Sequence, residues 1–314
     1  MRAIVVLALF LGTLHAASAT FELKGQVEEV STPVRVRLYG AETPYNAFTI
    51  SNNHGSFKFR GLEPGTYVVI AFVRRHGEAR RTVVVTPSLA DEKRVVHVSI
   101  PLPPPTSAVD RAKRRSTVSV TQLAIPEAAR QKHQDSQRDL NRHDIKAAIA
   151  HLNEALKLAP KYAEAWNSLG VVYYQTKEYT QAEQCFRKAT EIAPEDWTPA
   201  VNLGGVLLNL QRPQEALEYN RYAVKARPND ALANSQLGMT YFRLGEMEKA
   251  EQYLATAERL DPSHFSHPQL LLAEIYARRG DKASTLRELN DFVSRFPDSE
   301  VAAELRKRLA QVNK

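Results

Sequence analysis

The chain is predicted to be multidomain: a small antiparallel β-sandwich of about seven strands, then an all-α solenoid of about five helix pairs and a capping helix. Three observations predict this. From Phe21 to Ile100 apolar and polar residues alternate with period two, among β-branched residues and Gly, Pro and Asn turns. Pro160, Pro194, Pro228, Pro262 and Pro297 recur at spacings of 34, 34, 34 and 35 residues, the mark of a repeat architecture. Between the two patterns, Pro101-Leu-Pro-Pro-Pro105 ends the sheet, because consecutive prolines cannot join a ladder.

The first 19 residues precede both patterns. Met1-Arg2 gives a short positive start, Ala3 to Leu14 is almost wholly apolar, and Ala17-Ser18-Ala19 has the small-x-small spacing of a peptidase site. This reads as a signal peptide cut after Ala19, which would place the protein in a periplasm or outside the cell. The competing reading, an uncleaved anchor, needs an apolar run of roughly 20 residues, longer than this one. No other stretch is long and apolar enough to span a bilayer.

Composition narrows the function classes. Lys and Arg number 42 and Asp and Glu 35, a formal charge of +7. Residues 126–314 hold 26 of each sign, so the surplus lies in the sandwich, in the linker 101–125 and at Arg2. A nucleic-acid protein concentrates its cations on one face, so no nucleic-acid partner is expected. Cys185 is the only cysteine, which rules out an intrachain disulfide. Its core-type neighbours on a helix make it a small buried hydrophobe.

Seven strands fit residues 20–100, roughly 21–29, 33–39, 46–51, 56–60, 66–74, 79–86 and 93–100. Val34-Arg-Val-Arg-Leu38 alternates strictly, and Tyr67 to Val73 is apolar enough for a central strand. Gly55 permits a tight hairpin with φ > 0, Phe57 and Phe59 share a face, and Pro64-Gly65 makes a turn into the strand of Tyr67. The run Asn53-x-Gly55-x-Phe57-x-Phe59-x-Gly61-Leu62-x-Pro64-Gly65-x-Tyr67 resembles the carboxypeptidase regulatory-like domain, a transthyretin-like sandwich. That resemblance implies an accessory module without catalytic residues, serving as a spacer or binding a sugar or a surface.

The linker's prolines predict a short, stiff polyproline II spacer. Arg111-Ala-Lys-Arg-Arg115 is either a solvated charge run or a contact to phosphate or an anionic surface.

In residues 126–314 the columns align at the 34-residue period: Ala148, Ala182, Ala216, Ala250; Leu169-Gly170, Leu203-Gly204, Leu237-Gly238; Tyr173, Leu207, Tyr241. Apolar positions fall on two helices per unit, and each Pro stands just past the second helix. The pattern Trp166-x-x-Leu169-Gly170-x-x-Tyr173, then Ala182-x-x-x-Phe186-x-x-Ala189 and Pro194, resembles the tetratricopeptide repeat (TPR). Repeats are assigned at about 129–162, 163–196, 197–230, 231–264 and 266–298, with a cap at 300–313. No unit buries its face alone, so the units stack and the ends need lids. The first repeat has Lys132, Asp135, Ser136 and Asp139 where the second has Trp166, Leu169, Gly170 and Tyr173, so its first helix is polar.

The resemblance implies that the first helices line a concave groove for an extended peptide or a partner's helix. Three columns are candidate binding residues there. Gln134, Ser168, Asn202 and Gln236 form a row of short polar groups able to bond a peptide backbone. Asn141, Gln175, Asn209, Arg243 and Arg278 become basic toward the C-terminus, and Tyr174, Leu208 and Phe242 offer apolar contact. His133, Asn167 and Asn202 match a carboxylate clamp only in part, without its Lys or Arg. There is no phosphate loop, no His-Glu-x-x-His and no Gly-x-Ser-x-Gly, and His264 and His267 lack further ligands nearby. The expectation is therefore an exported, non-catalytic scaffold that binds a protein segment, with no cofactor and no metal. The alternative is a carbohydrate- or envelope-binding protein acting through the sandwich, with the repeats as spacer.

Overall fold

The computed structural model describes residues 20–74, 76–102 and 124–312. The expected signal segment and the Arg111–Arg115 run lie outside the described residues.

Seven strands form the N-terminal unit: β1 (Phe21–Val27), β2 (Arg35–Gly40), β3 (Asn46–Ile50), β4 (Ser56–Leu62), β5 (Gly65–Val73), β6 (Gly77–Val85) and β7 (Val95–Ile100). They make a three-stranded sheet, β4-β1-β7, and a four-stranded sheet, β3-β2-β5-β6. Alternate residues of both sheets fill one core, with Leu23, Val36, Leu38, Leu62, Val69 and Ile100 fully buried. Gly55 makes the turn into β4 at φ +82°, where a β-carbon would strike the Val27 carbonyl, but the expected hairpin is corrected: β3 and β4 lie in different sheets, so the turn carries the chain from one sheet to the other. Asn52 Oδ1 fixes the same turn by accepting from His54 N and Ser56 N, each at 2.9 Å. One pairing departs from the antiparallel expectation. β1 and β7 run parallel, from Glu22↔Val95 to Val27↔Ile100, because the last strand returns beside the first by crossing between the sheets.

The C-terminal unit is an array of eleven helices among the described residues. They pair as α1 (Glu127–Asn141) with α2 (Ile145–Leu158), α3 (Ala163–Gln175) with α4 (Tyr179–Ile192), and α5 (Trp197–Asn209) with α6 (Pro213–Ala226). Then come α7 (Ala231–Leu244) with α8 (Met247–Leu260), α9 (Pro268–Arg279) with α10 (Lys282–Arg295), and finally α11 (Glu300–Val312). Asp144, Asp196, Asp230 and Asp281 cap helices by accepting from backbone N–H groups, satisfying donors that a helix start leaves free. The small columns do what helix pairing requires: Ala148, Ala182, Ala216 and Ala250 are wholly buried, and a β-carbon on Gly170 would come within 2.6 Å of the Phe186 ring.

The polar first helix packs through hydrogen bonds. His133 is buried and bridges two neighbours, Tyr162 Oη at 3.1 Å and Ser168 Oγ at 2.9 Å, while Ser136 Oγ donates to the His133 carbonyl. In the third repeat, Asn220 occupies the column of Phe186 and Leu254 and is fully buried. Its Nδ2 donates to Thr240 Oγ1 at 2.9 Å, and a β-carbon on Gly204 would run into its side chain.

Candidate functional site

The structure seats the sandwich against the array. Contacts run from the first repeat to the cap. β3 lies beside α1, and the Tyr45 ring packs 5.3 Å from that of His143. Gln175 Nε2 donates to the Gly40 carbonyl at 2.8 Å. From there the seam passes to the repeat junctions, where the outward-facing residues of β6 reach successive units.

Arg80 pairs with Asp230 at 3.3 Å and lies 5.4 Å over the Trp197 ring. Thr82 donates twice to Asp261 Oδ2, from N at 3.0 Å and from Oγ1 at 2.5 Å. Val84 joins an apolar cluster with Phe292, Phe296 and Ala302. Ser88, just past the strand, donates from N at 3.0 Å and from Oγ to Asp298. Strand alternation explains the pattern: Ala79, Val83 and Val85 fill the sandwich core while Arg80, Thr82 and Val84 face the helices.

Burial sets the electrostatics of this seam. His264 is buried among Asp261, Asp230 and Arg80, and desolvation pushes its imidazole down; its Nδ1 lies 2.7 Å from Ser266 Oγ. His267 stacks edge-on against Phe292 and Phe296, and burial holds it down to about 4. These two histidines hold side-chain neighbours in place, and among the described residues no group of three His, Cys, Asp or Glu is set to bind a metal. Cys185 is buried, and desolvation raises its thiol to about 12.

The predicted columns fare differently. In the first, Gln134 is exposed, Ser168 is engaged by His133, and Asn202 Nδ2 donates to Asn167 Oδ1 at 2.9 Å. Gln236 requires a correction: it is 9% exposed and packed over the bare backbone of Gly205, so it belongs to the seam between repeats. Ser168 and Asn202 are thus engaged by residues outside the row, His133 and Asn167. Leu208 is also corrected, since it is 4% exposed within the core of the array. In the second column, Asn141 is exposed and Gln175 is used by the sandwich. Asn209, Arg243 and Arg278 are exposed at the turn end of the first helices. Tyr174 accepts from Asn209 Nδ2 at 2.9 Å, Arg243 reaches Gln211, and the Arg278 guanidinium stacks 5.2 Å over the Phe242 ring. Asn209, Arg243 and Arg278 make an open strip, with Tyr174 and Phe242 half-buried in it.

Sequence reasoning missed Asp261. A signal existed. The position before each repeat proline reads Ala159, Ala193, Arg227, Asp261, Phe296, so a lone carboxylate stands in a column that is otherwise apolar at its start.

Comparison with known proteins places the array. A sequence profile of the cytochrome c-type biogenesis protein H TPR domain matches residues 116–284, more than half of the chain. Human cell division cycle protein 16 homolog is 32% identical over 124 residues, 37% of this chain and 20% of that protein. Superkiller protein 3 of Schizosaccharomyces pombe is 25% identical over 167 residues, 51% of this chain and 12% of that protein. The chain thus spans a fifth or less of these two curated relatives. Among solved structures, Pseudomonas aeruginosa pilF aligns with a TM-score of 0.51 at 19% identity, over 64% of this chain and 92% of that one, a likeness of fold. Helix pairs repeating every 34 residues, sealed by the Ala, Gly and aromatic columns and matched across 116–284, show that the chain belongs to the family of the cytochrome c-type biogenesis protein H TPR domain.

Proposed function

We propose that the protein is a non-catalytic interaction scaffold, exported by a signal cut after Ala19 into a periplasm or the extracellular space. The array holds an extended segment of a partner protein along the open strip of Tyr174, Asn209, Phe242, Arg243 and Arg278. One observation carries this reading. The sandwich crosses the first helices obliquely, touching turn ends in the first two repeats and junctions in the last three, and the uncovered corner is the basic, aromatic one. Exposed guanidinium and amide donors there suit carboxylates and backbone carbonyls of a peptide. The sandwich, with its carboxypeptidase regulatory-like run, acts as a brace that fixes which part of the groove stays open.

The test is affinity capture from envelope extract with the full chain as bait, beside a bait carrying Asn209→Ala, Arg243→Ala and Arg278→Ala. A photo-crosslinker at Phe242 identifies what sits on the strip. A protein retained by the first bait, lost by the second and crosslinked at Phe242 is the expected result. Equal recovery by both baits removes the strip from consideration.

A further inference from the structure

The seam under β6 is chemically unfinished. Asp261 is 4% exposed, and both Thr82 donors go to its Oδ2. Its Oδ1 is buried with no hydrogen-bond partner. A buried carboxylate oxygen left without a donor is an unfavourable arrangement, and it marks a place where a better donor would be accepted. Asp230 nearby shows the contrast: its Oδ1 caps α7 through Ala233 N and its Oδ2 takes Arg80. The local charge is also unbalanced. Arg80 is shared between Glu78 at 2.8 Å and Asp230, while Asp261 has a neutral hydroxyl and an amide. Arg227 lies 5.3 Å over the same Trp197 ring as Arg80, and among the described residues no cation is paired with Asp261.

We propose that these repeat junctions are a second peptide-binding site, held in cis by β6, whose preferred ligand is an extended basic segment with cations two residues apart. In a strand, residues i and i+2 face the same way, as Arg80 and Thr82 do here. A ligand carrying Arg at both positions keeps the Asp230 pair and presents a planar guanidinium to both oxygens of Asp261, a geometry that a hydroxyl lacks. Such a segment displaces β6 and frees the sandwich from the array. The β6 strand is then a resident placeholder, matched to the site in shape and apolar contact and under-matched in charge.

The experiment uses the full chain and two fluorescein-labelled peptides, the Gly77–Val85 sequence and the same peptide with Thr82→Arg, read by anisotropy. Hosts are the wild type, a release variant (Arg80→Ala with Thr82→Val), and the release variant with Asp261→Asn. Release is checked by acrylamide quenching of Trp197 in a Trp166→Phe background; Val84→Asp, which sets a charge against Phe292, serves if the first variant stays docked. The release variant is expected to bind the native-sequence peptide at least about tenfold tighter than wild type, and the arginine peptide about tenfold tighter again. Asp261→Asn should abolish the second gain. Unchanged helical circular dichroism certifies each host. Absence of peptide binding by a released host, no preference for the arginine peptide, or a preference that survives Asp261→Asn would each overturn the proposal. None of these results bears on the open strip.

Discussion

Two seams hold this molecule together, and they are built from opposite materials. Within the array, helix contacts are mainly alanine columns, glycines under large side chains, and buried Leu and Phe, with a few polar links such as His133–Ser168 and Asn220–Thr240. Between sandwich and array, the anchors are Arg80–Asp230, Thr82–Asp261 and Ser88–Asp298, with Val84 as the apolar plug. The first kind is additive and depends little on salt, because dispersion and burial do not depend on charge and the ion pairs between repeats, such as Arg212–Glu183, lie at the surface. The second is directional and separable, since charged donors and acceptors regain water when parted. The difference teaches that a few polar substitutions can loosen the docking of the sandwich, whereas the array has no comparably small set of anchors.

The largest blow to the first seam is Phe186→Ala, which opens a cavity beneath Gly170 and should cost about 3–5 kcal/mol in urea unfolding. Ala216→Leu overpacks a helix pair and should cost about 1–3 kcal/mol by a circular-dichroism melt. An unchanged melt would contradict the repeat register. Against the second seam, Arg80→Ala with Asp261→Ala should split one calorimetric transition into two while the helical transition stays in place. Raised salt should weaken the docking and leave the cost of Phe186→Ala unchanged.

A subtler comparison uses pH. Glu258 on α8 is raised to about 7, first by burial and then by Glu288 beside it. An acid whose folded value exceeds its unfolded one stabilises the fold below the ordinary carboxyl range, and that stability is lost as pH rises toward about 7. His267, depressed to about 4, acts with the opposite sign: its contribution is present near neutrality and lost as pH falls toward that value. Glu258→Gln should therefore remove the loss on the alkaline side, leaving a melting temperature that only rises from about pH 4.5 to 7. The smallest effect is expected for Arg243→Ala, within about 0.5 kcal/mol in stability, because its side chain is exposed.

Much of this fold was legible because its signals are local. The 34-residue columns and the period-two runs are properties of neighbouring residues, and strand and helix geometry translate them directly. Gly55 announced its own turn. The parallel β1–β7 pair was not legible, since it joins residues some seventy apart with ordinary strand composition. The docking seam was harder still: Thr82 and Asp261 touch across 179 positions, and outward residues of a strand look the same whether they meet water or a helix. For the candidate site, the exposed end of the second column was readable from polarity, while Gln236 and Leu208 were not. Their burial depends on the angle at which one repeat stacks on the next.

The parallel pairing of the first and last strands has a mechanical consequence. Phe21 opens β1 at one pole of the sandwich and Ile100 closes β7 at the other, with the ladder from Glu22↔Val95 to Val27↔Ile100 between them. Tension applied between the start of β1 and the array after β7 pulls these strands along their length in opposite senses. The bonds are then loaded together in shear and must rupture as a group, whereas a hairpin pulled from its open end unzips one bond at a time. The pairing thus makes the sandwich hard to pull apart between its first strand and the repeats that follow.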